Sequence, residues 1–221
     1  MKQVIVSFFI VVLGVFVSAS SQAGTTEVAL KPIKVDRSLD SLRRGAQVVF
    51  DTCMRCHSLR YITYRDLLDM GLSKDEVDAL RGDRGMGEYL QTTMPPAAAK
   101  FHFGMLPPDL SLMAKARKNG PSYIYTLLTS YEEMSNGKID NPVFPGIRMP
   151  DILNVTVETA PEERAVVEQK ARDVVAFLEW AADPRAQERR ELGAYVLAYL
   201  VILTALLYWR KRKIWSRLDD A

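Results

Sequence analysis

Five residues in the first third of the chain, CMRCH at positions 53–57, restrict the fold more than any other feature of this 221-residue sequence. They contain both cysteines of the chain and one of its two histidines. Two thiols three positions apart suit a disulfide, a redox pair, part of a metal site or the covalent attachment of haem. The chemistry that uses these thiols must also explain the histidine that follows directly.

The alternatives to haem explain this segment poorly. A disulfide closing so short a loop would constrain the unfolded chain very little, and a thioredoxin-type pair belongs to a βαβ unit that the periodicity does not indicate. Zinc requires four ligands, so a site made of thiols and imidazoles would have to use every such donor in the chain: Cys53, Cys56, His57 and His102. The C-x-x-C-H spacing favours haem c, with the two thiols bonded along one side of the porphyrin and His57 on the iron.

Dense apolar runs at both ends predict export and a membrane anchor. Val4–Val17 follows Lys2 and precedes small residues, which is typical of a signal peptide over 1–23; an uncleaved N-terminal anchor is the alternative. Leu192–Trp209 contains no charged residue, and at about 1.5 Å per residue it reaches ~27 Å, close to the hydrocarbon thickness of a bilayer. A transmembrane helix is therefore expected at 191–209.

Charge predicts the orientation of the chain and excludes one class of partner. The tail at 210–221 carries five basic residues directly after the apolar run, so the positive-inside rule predicts a cytoplasmic C-terminus. Residues 24–190 would then form a periplasmic domain of a single-pass protein of the inner (cell) membrane, the side on which c-type haem is attached. A formal net charge of only +2 argues against nucleic acid as a partner.

Helical spacing dominates the exported part, and Gly/Pro-rich segments separate the patterned stretches. The sequence therefore predicts an all-α domain with long loops around a large apolar cofactor. We expect one helix that is capped by Asp40 or Ser41 and leads into Cys53, and a second that is capped by Ser73 with Glu76. A third helix should run from Pro107–Asp109 to Gly120, and Pro121 should open a fourth. A fifth should carry an apolar stripe made of Val167, Ala171, Val174, Leu178 and Ala181.

The second axial ligand of the iron stays open at the level of local sequence. His102 and several methionines are candidates, and prolines stiffen the segments around Met94 in TTMPP and Met149 in GIRMPD. Local pattern does not choose between these two, although proximity to the haem motif favours Met94. A neutral thioether ligand would raise the reduction potential relative to a second histidine.

Longer motifs connect the chain with a known family. From about Arg43 to the tail it resembles cytochrome c1, the haem subunit of the ubiquinol–cytochrome c reductase (cytochrome bc1) complex. The likeness rests on RRGAQVVFDTCMRCHSLRYITYRDL, MLPPDLSLMAKARKNGPSYIYTLLTSY, NPVFPGIRMP and VVAFLEWAADPRAQERRELG. LPPDLS, the ARKNG turn and FPG before a methionine-proline are much more specific in combination than the haem motif alone.

The resemblance implies a cytochrome c-like haem domain with insertions, held by one C-terminal helix. It makes Met149, and not Met94, the distal ligand. It also implies that Arg117 lies near a haem propionate and Tyr123 beside the haem. The alternative interpretation of Arg117 is a solvated cation in the last turn of a helix.

The implied function is electron transfer from the Rieske iron–sulfur protein to a c-type cytochrome acceptor. Cytochrome b would be a further partner within a dimeric complex, and no general acid, base or nucleophile is expected on this chain. Two alternatives remain: a tethered monohaem electron shuttle outside that complex, and a membrane-anchored thiol–disulfide oxidoreductase.

Overall fold

The computed structural model of the protein describes residues 28–158 and 160–219. The predicted signal peptide at 1–23 lies outside these residues. The helices are α1 (Leu39–Asp51), α2 (Tyr64–Met70), α3 (Lys74–Arg81), α4 (Pro96–Phe103), α5 (Met113–Ala116), α6 (Gly120–Thr129), α7 (Pro161–Ala181) and α8 (Ala186–Asp219). The strands β1 (Leu59–Thr63) and β2 (Tyr89–Leu90) pair antiparallel, as do β3 (Glu132–Glu133) and β4 (Ile139–Asp140).

Helix α7 forms the centre of the core. The stripe predicted for it, from Val167 to Ala181, is buried along its whole length. Helix α1 crosses α7 closely at Gly45, where a β-carbon would overlap the carbonyl oxygen of Asp173. Helix α6 packs against the same helix. The expectation of a mostly helical domain is confirmed.

Caps at the helix starts follow the sequence in one case and depart from it in another. Ser73 caps α3 in a reciprocal capping box with Glu76, as predicted. Helix α1 begins earlier than expected, because the hydroxyl oxygen of Ser38 accepts a hydrogen bond from the backbone amide of Ser41. The cap prediction of Asp40 or Ser41 is therefore wrong by two or three residues.

The helix predicted from Pro107–Asp109 to Gly120 is wrong. Only Met113–Ala116 is helical in that stretch, since the side chain of Asp109 accepts bonds from the backbone amides of Arg60 and Ser111 instead of capping a helix. Gly120 does not end this helix but begins α6. Its missing side chain lets the backbone meet the carbonyl of Ala114, which a β-carbon would overlap.

The C-terminal helix stands apart from the core. Within α8, Ala186–Ser216 is a candidate membrane span whose most apolar window has a mean hydropathy of 2.0 and is unburied. The predicted span at 191–209 falls inside this helix. A long helix with its apolar side chains exposed needs another apolar environment, and its length suits a lipid bilayer.

Candidate haem-binding site

The side chains of the two cysteines and the histidine project from one tight turn at the end of α1. Residues Cys53–Arg55 form a single 3-10 turn, and the carbonyl oxygen of Cys53 accepts the backbone amides of Cys56 at 3.1 Å and His57 at 2.9 Å. Cys53 and His57 are buried, and Cys56 is half-buried. Five consecutive residues therefore supply all three side chains from one turn.

The chemistry of the thiols argues against a redox function. Cys53 and Cys56 are both free, and burial raises the pKa of each thiol above its ordinary value. Reactive cysteines need a lowered pKa so that the thiolate is populated at neutral pH. At neutral pH both thiols therefore stay mostly protonated, which disfavours thiol–disulfide exchange.

One backbone carbonyl determines how His57 can bind a metal. The Nδ1 atom of His57 lies 2.7 Å from the carbonyl oxygen of Pro108. A carbonyl only accepts hydrogen bonds, so Nδ1 carries the hydrogen and Nε2 keeps a free lone pair. Burial also lowers the pKa of this imidazole, which favours the neutral form that a metal requires.

The LPPDLS segment is fixed beside the attachment turn by its own backbone and side chains. The amide of Leu110 donates to the carbonyl oxygen of Ser58 at 2.8 Å. The side chain of Asp109 accepts the amide of Arg60 at 2.9 Å, and the hydroxyl of Ser111 accepts the amide of Tyr61 at 3.1 Å. These bonds hold the carbonyl of Pro108 against His57. Because the LPPDLS segment bonds to residues 58–61 instead of to its own backbone, it is not helical.

Met94 is connected to the attachment turn. The hydroxyl of Thr92 donates to the carbonyl oxygen of Arg55 at 2.9 Å, and the amide of Thr92 donates to the hydroxyl of Ser58 at 3.0 Å. The amide of Met94 in turn donates to Thr92. Hydrogen bonds through Thr92 therefore attach the Met94 loop to the segment that contains His57.

Met149 is held by a different part of the chain. Its half-buried side chain packs against the hydrophobic core. Its carbonyl oxygen accepts the hydroxyl of Tyr131 at 3.0 Å, and the neighbouring Arg148 donates to the carbonyl oxygen of Phe103 at the end of α4. His102, the histidine candidate, is exposed on α4 with its ring edge-on to Phe101.

Arg117 and Tyr123 lie together. The guanidinium carbon of Arg117 is 5.9 Å from the centre of the Tyr123 ring, within cation–π range. Asn119 has a left-handed backbone, with φ of 52°, and reverses the chain between α5 and α6. Arg117 is exposed and extended after α5, whereas Tyr123 is half-buried against the core.

The sequence model of the cytochrome C1 family matches residues 34–94 and 83–218. A cytochrome c1 of Rhodospirillum rubrum is 35% identical over 218 residues, covering 79% of this chain and 80% of the relative. The Solanum tuberosum protein cytochrome c1-2, heme protein, mitochondrial, is 38% identical over 211 residues, covering 81% and 80%. This chain belongs to the cytochrome c1 family. An Arabidopsis thaliana member, also named a heme protein, is 36% identical over 209 residues, covering 81% and 68%.

The donor set fits the haem that is typical of this family. Two unpaired thiols and an imidazole with a free Nε2 leave one turn, which is the set needed for two thioether bonds and one axial bond. A zinc site has no comparable support: across 28–158 and 160–219, no three His, Cys, Asp or Glu side chains come together as a metal site.

Two contacts of the site were not anticipated from the sequence. The carbonyl of Pro108 and the hydroxyl of Tyr131 reach His57 and Met149 across 51 and 18 residues of chain. The LPPDLS motif marked the first of these segments without indicating a role for its backbone. No local signal distinguishes Tyr131 from the other tyrosines around it.

Proposed function

We propose that this protein is the haem-carrying electron-transfer subunit of a ubiquinol–cytochrome c reductase complex in a respiratory chain. It would accept one electron at a time from the Rieske iron–sulfur protein and deliver it to a c-type cytochrome. The observation that carries this proposal is the turn at residues 53–57, with two free thiols and an imidazole whose Nδ1 is engaged by Pro108. Membership of the cytochrome c1 family supports the same function.

Each proposed ligand would have a distinct task. Cys53 and Cys56 would hold the porphyrin by thioether bonds, so that it is not lost during repeated turnover. His57 would be the proximal iron ligand, and its bond to Pro108 would keep the ring oriented and its lone pair basic. Met149 would be the distal ligand, closing the last coordination position against water and other small ligands.

The surrounding residues would tune this centre. Arg117, beside Tyr123, would place a permanent positive charge near a haem propionate. The bound haem supplies reversible one-electron chemistry that no side chain of this protein provides. The protein's own contribution is to bind, orient and shield, so no residue is proposed as a general acid, base or nucleophile.

We further propose a place for the protein in the membrane. Helix α8 would span the inner membrane, with residues 24–190 on the periplasmic side and the tail at 210–221 in the cytoplasm. The basic residues of the tail support this orientation. The ammonium groups of Lys211 and Lys213 lie 4.6 Å and 5.7 Å from the rings of Trp215 and Trp209, an arrangement suited to the headgroup region. Cytochrome b would be the membrane partner within a dimeric complex.

Covalent haem is the first test of the function. The full chain, matured in a host that attaches c-type haem, should give a pyridine-haemochrome spectrum with one haem per chain. The haem should remain on the polypeptide under denaturing conditions, and Cys53→Ser with Cys56→Ser should release it. A colourless protein with two thiols open to alkylation would support the thiol–disulfide oxidoreductase instead and refute the proposal.

Membership of the complex is a separate test. Mild detergent extraction followed by affinity purification through this chain should recover a b-type haem protein and an iron–sulfur protein. The purified assembly should reduce a c-type cytochrome with a ubiquinol. A red protein that purifies without a b-type haem partner would indicate a tethered electron shuttle outside such a complex.

A further inference from the structure

Met149 lies in a long connection between β4 and α7 that owes its shape to side chains and not to regular secondary structure. Asn141, which is 1% exposed, donates through Nδ2 to the carbonyl oxygen of Leu127 at 2.7 Å and accepts the amide of Val143 at 3.0 Å. Further along, Oδ2 of Asp151 accepts the amide and the hydroxyl of Thr156 at 2.8 and 3.0 Å. Both ends of the segment that contains Met149 are thus held.

Tyr131 acts between these two ends, on the backbone of Met149 itself. Its hydroxyl donates to the carbonyl oxygen of Met149 at 3.0 Å. Tyr131 lies two residues after the end of α6 and is 5% exposed, so its ring is held by the core. A phenol is protonated at neutral pH, so the hydroxyl is available as a donor.

We propose that Tyr131 is a positioning residue for the distal iron ligand: its hydroxyl ties the backbone of Met149 to the core and keeps the thioether in place. This inference rests on the proposed function and on Met149 as the ligand. A neutral thioether binds iron through one soft sulfur on a flexible side chain. A chain segment that is already ordered loses less entropy when that bond forms.

The test removes the hydroxyl and keeps the ring. Tyr131→Phe in the full-length haem protein should weaken the methionine–iron charge-transfer band of the oxidised form and lower the reduction potential. Imidazole added to the oxidised protein competes with Met149 for the iron. Because Tyr131→Phe loses one hydrogen bond that holds Met149, imidazole should bind the iron about threefold to tenfold more tightly than in the wild type.

A second tyrosine, on α6, provides a matched control. Tyr125 is 4% exposed, and its hydroxyl accepts a hydrogen bond from Arg172 at 3.1 Å. Tyr125→Phe therefore removes a hydroxyl from a similarly buried ring at another place, and imidazole affinity should stay within about twofold of the wild type, since the hydroxyl lost there does not bond to Met149. Equal tightening in both variants, or unchanged affinity in Tyr131→Phe with only lower stability, would show a purely structural role and overturn the inference.

One further variant separates this inference from the proposals beneath it. Met149→Leu should abolish the charge-transfer band. If the band survives in Met149→Leu, another residue is the ligand and the inference fails, while covalent haem and electron transfer stand. If the band is lost there and Tyr131→Phe binds imidazole like the wild type, Met149 is the ligand and only the role of Tyr131 is refuted.

Discussion

At the scale of single residues, a carbonyl oxygen and a glycine determine features of the site that no side-chain motif indicates. The carbonyl of Pro108 selects which nitrogen of His57 is free. Gly45 lets α1 approach the backbone of α7, where the carboxylate of Asp173 accepts hydrogen bonds from Ser41 at 2.7 Å and from Arg44 at 2.7 and 2.9 Å. Because α1 runs directly into the attachment turn, this crossing sets where that turn lies.

The crossing predicts a large cost for the smallest substitution of Gly45. In Gly45→Ala, the new β-carbon would overlap the carbonyl oxygen of Asp173. It would also lie only 2.7 Å from the carbonyl carbon of Asp173 and 2.9 Å from the β-carbon of Phe177. The free energy of unfolding, measured by urea denaturation with circular dichroism, should fall by about 3 kcal/mol. Gly87 has no atom within 4 Å of its ideal β-carbon, so Gly87→Ala should change it by less than about 0.5 kcal/mol. Equal effects of the two variants would refute this account of the crossing.

At the scale of elements, the junction between α7 and α8 is an ionic cluster. Asp183 lies between the two helices and accepts hydrogen bonds from Lys115 at α5 and from Arg189 on α8. Its side chain is only 12% exposed. The two cations hold the pKa of this carboxyl well below its usual range. The cluster joins the segment that leads to Arg117 with the start of the membrane anchor.

The lowered pKa of Asp183 predicts a defined dependence on pH. A carboxyl with a lowered folded-state pKa contributes stability above its unfolded pKa of about 3.9, and this contribution is lost as pH falls further. Asp183→Asn should therefore lower the melting temperature of the detergent-solubilised protein at pH 5 to 7, with the difference from wild type shrinking below about pH 4. Lys115→Gln, which removes one of the two cations, should give an intermediate result. A difference that is constant down to pH 3 would contradict this assignment.

At the scale of the whole molecule, the haem domain and the anchor are separate in their packing. No residue in the most apolar window of α8 is buried, whereas the hydrophobic core ends at Ala182, directly after α7. Truncation after Arg190 keeps the contact of Arg189 with Asp183 and removes the apolar span.

This truncation should release an exported haem protein into the soluble fraction, with its haem spectrum unchanged. The measurement is haem staining of soluble fractions and alkaline-washed membranes. Truncation after Lys213 keeps the apolar span and should leave the protein in the membrane. If the chain truncated after Arg190 still sediments with washed membranes, the N-terminal run at residues 4–17 is an anchor and not a cleaved signal.

Contiguous features of the sequence were sufficient for several conclusions. The CMRCH segment forms a turn through its own backbone bonds, so its spacing alone predicts that the three side chains come from one turn. The apolar run within α8 and the stripe of α7 follow from periodicity and length, which depend on neighbouring residues only. The family followed from motifs read along the chain.

Only the tertiary structure decided the contacts between distant segments. The helix predicted from Pro107 is absent because the backbone of that stretch bonds to the segment after His57. The bond from Tyr131 to Met149 likewise depends on how the loop that contains Met149 returns to the core. Loops have no periodicity, and the partner of a backbone carbonyl leaves no mark in its own side chain. The amino-acid sequence by itself therefore determined the attachment turn and the anchor, while the tertiary structure determined which distant segments contact that turn.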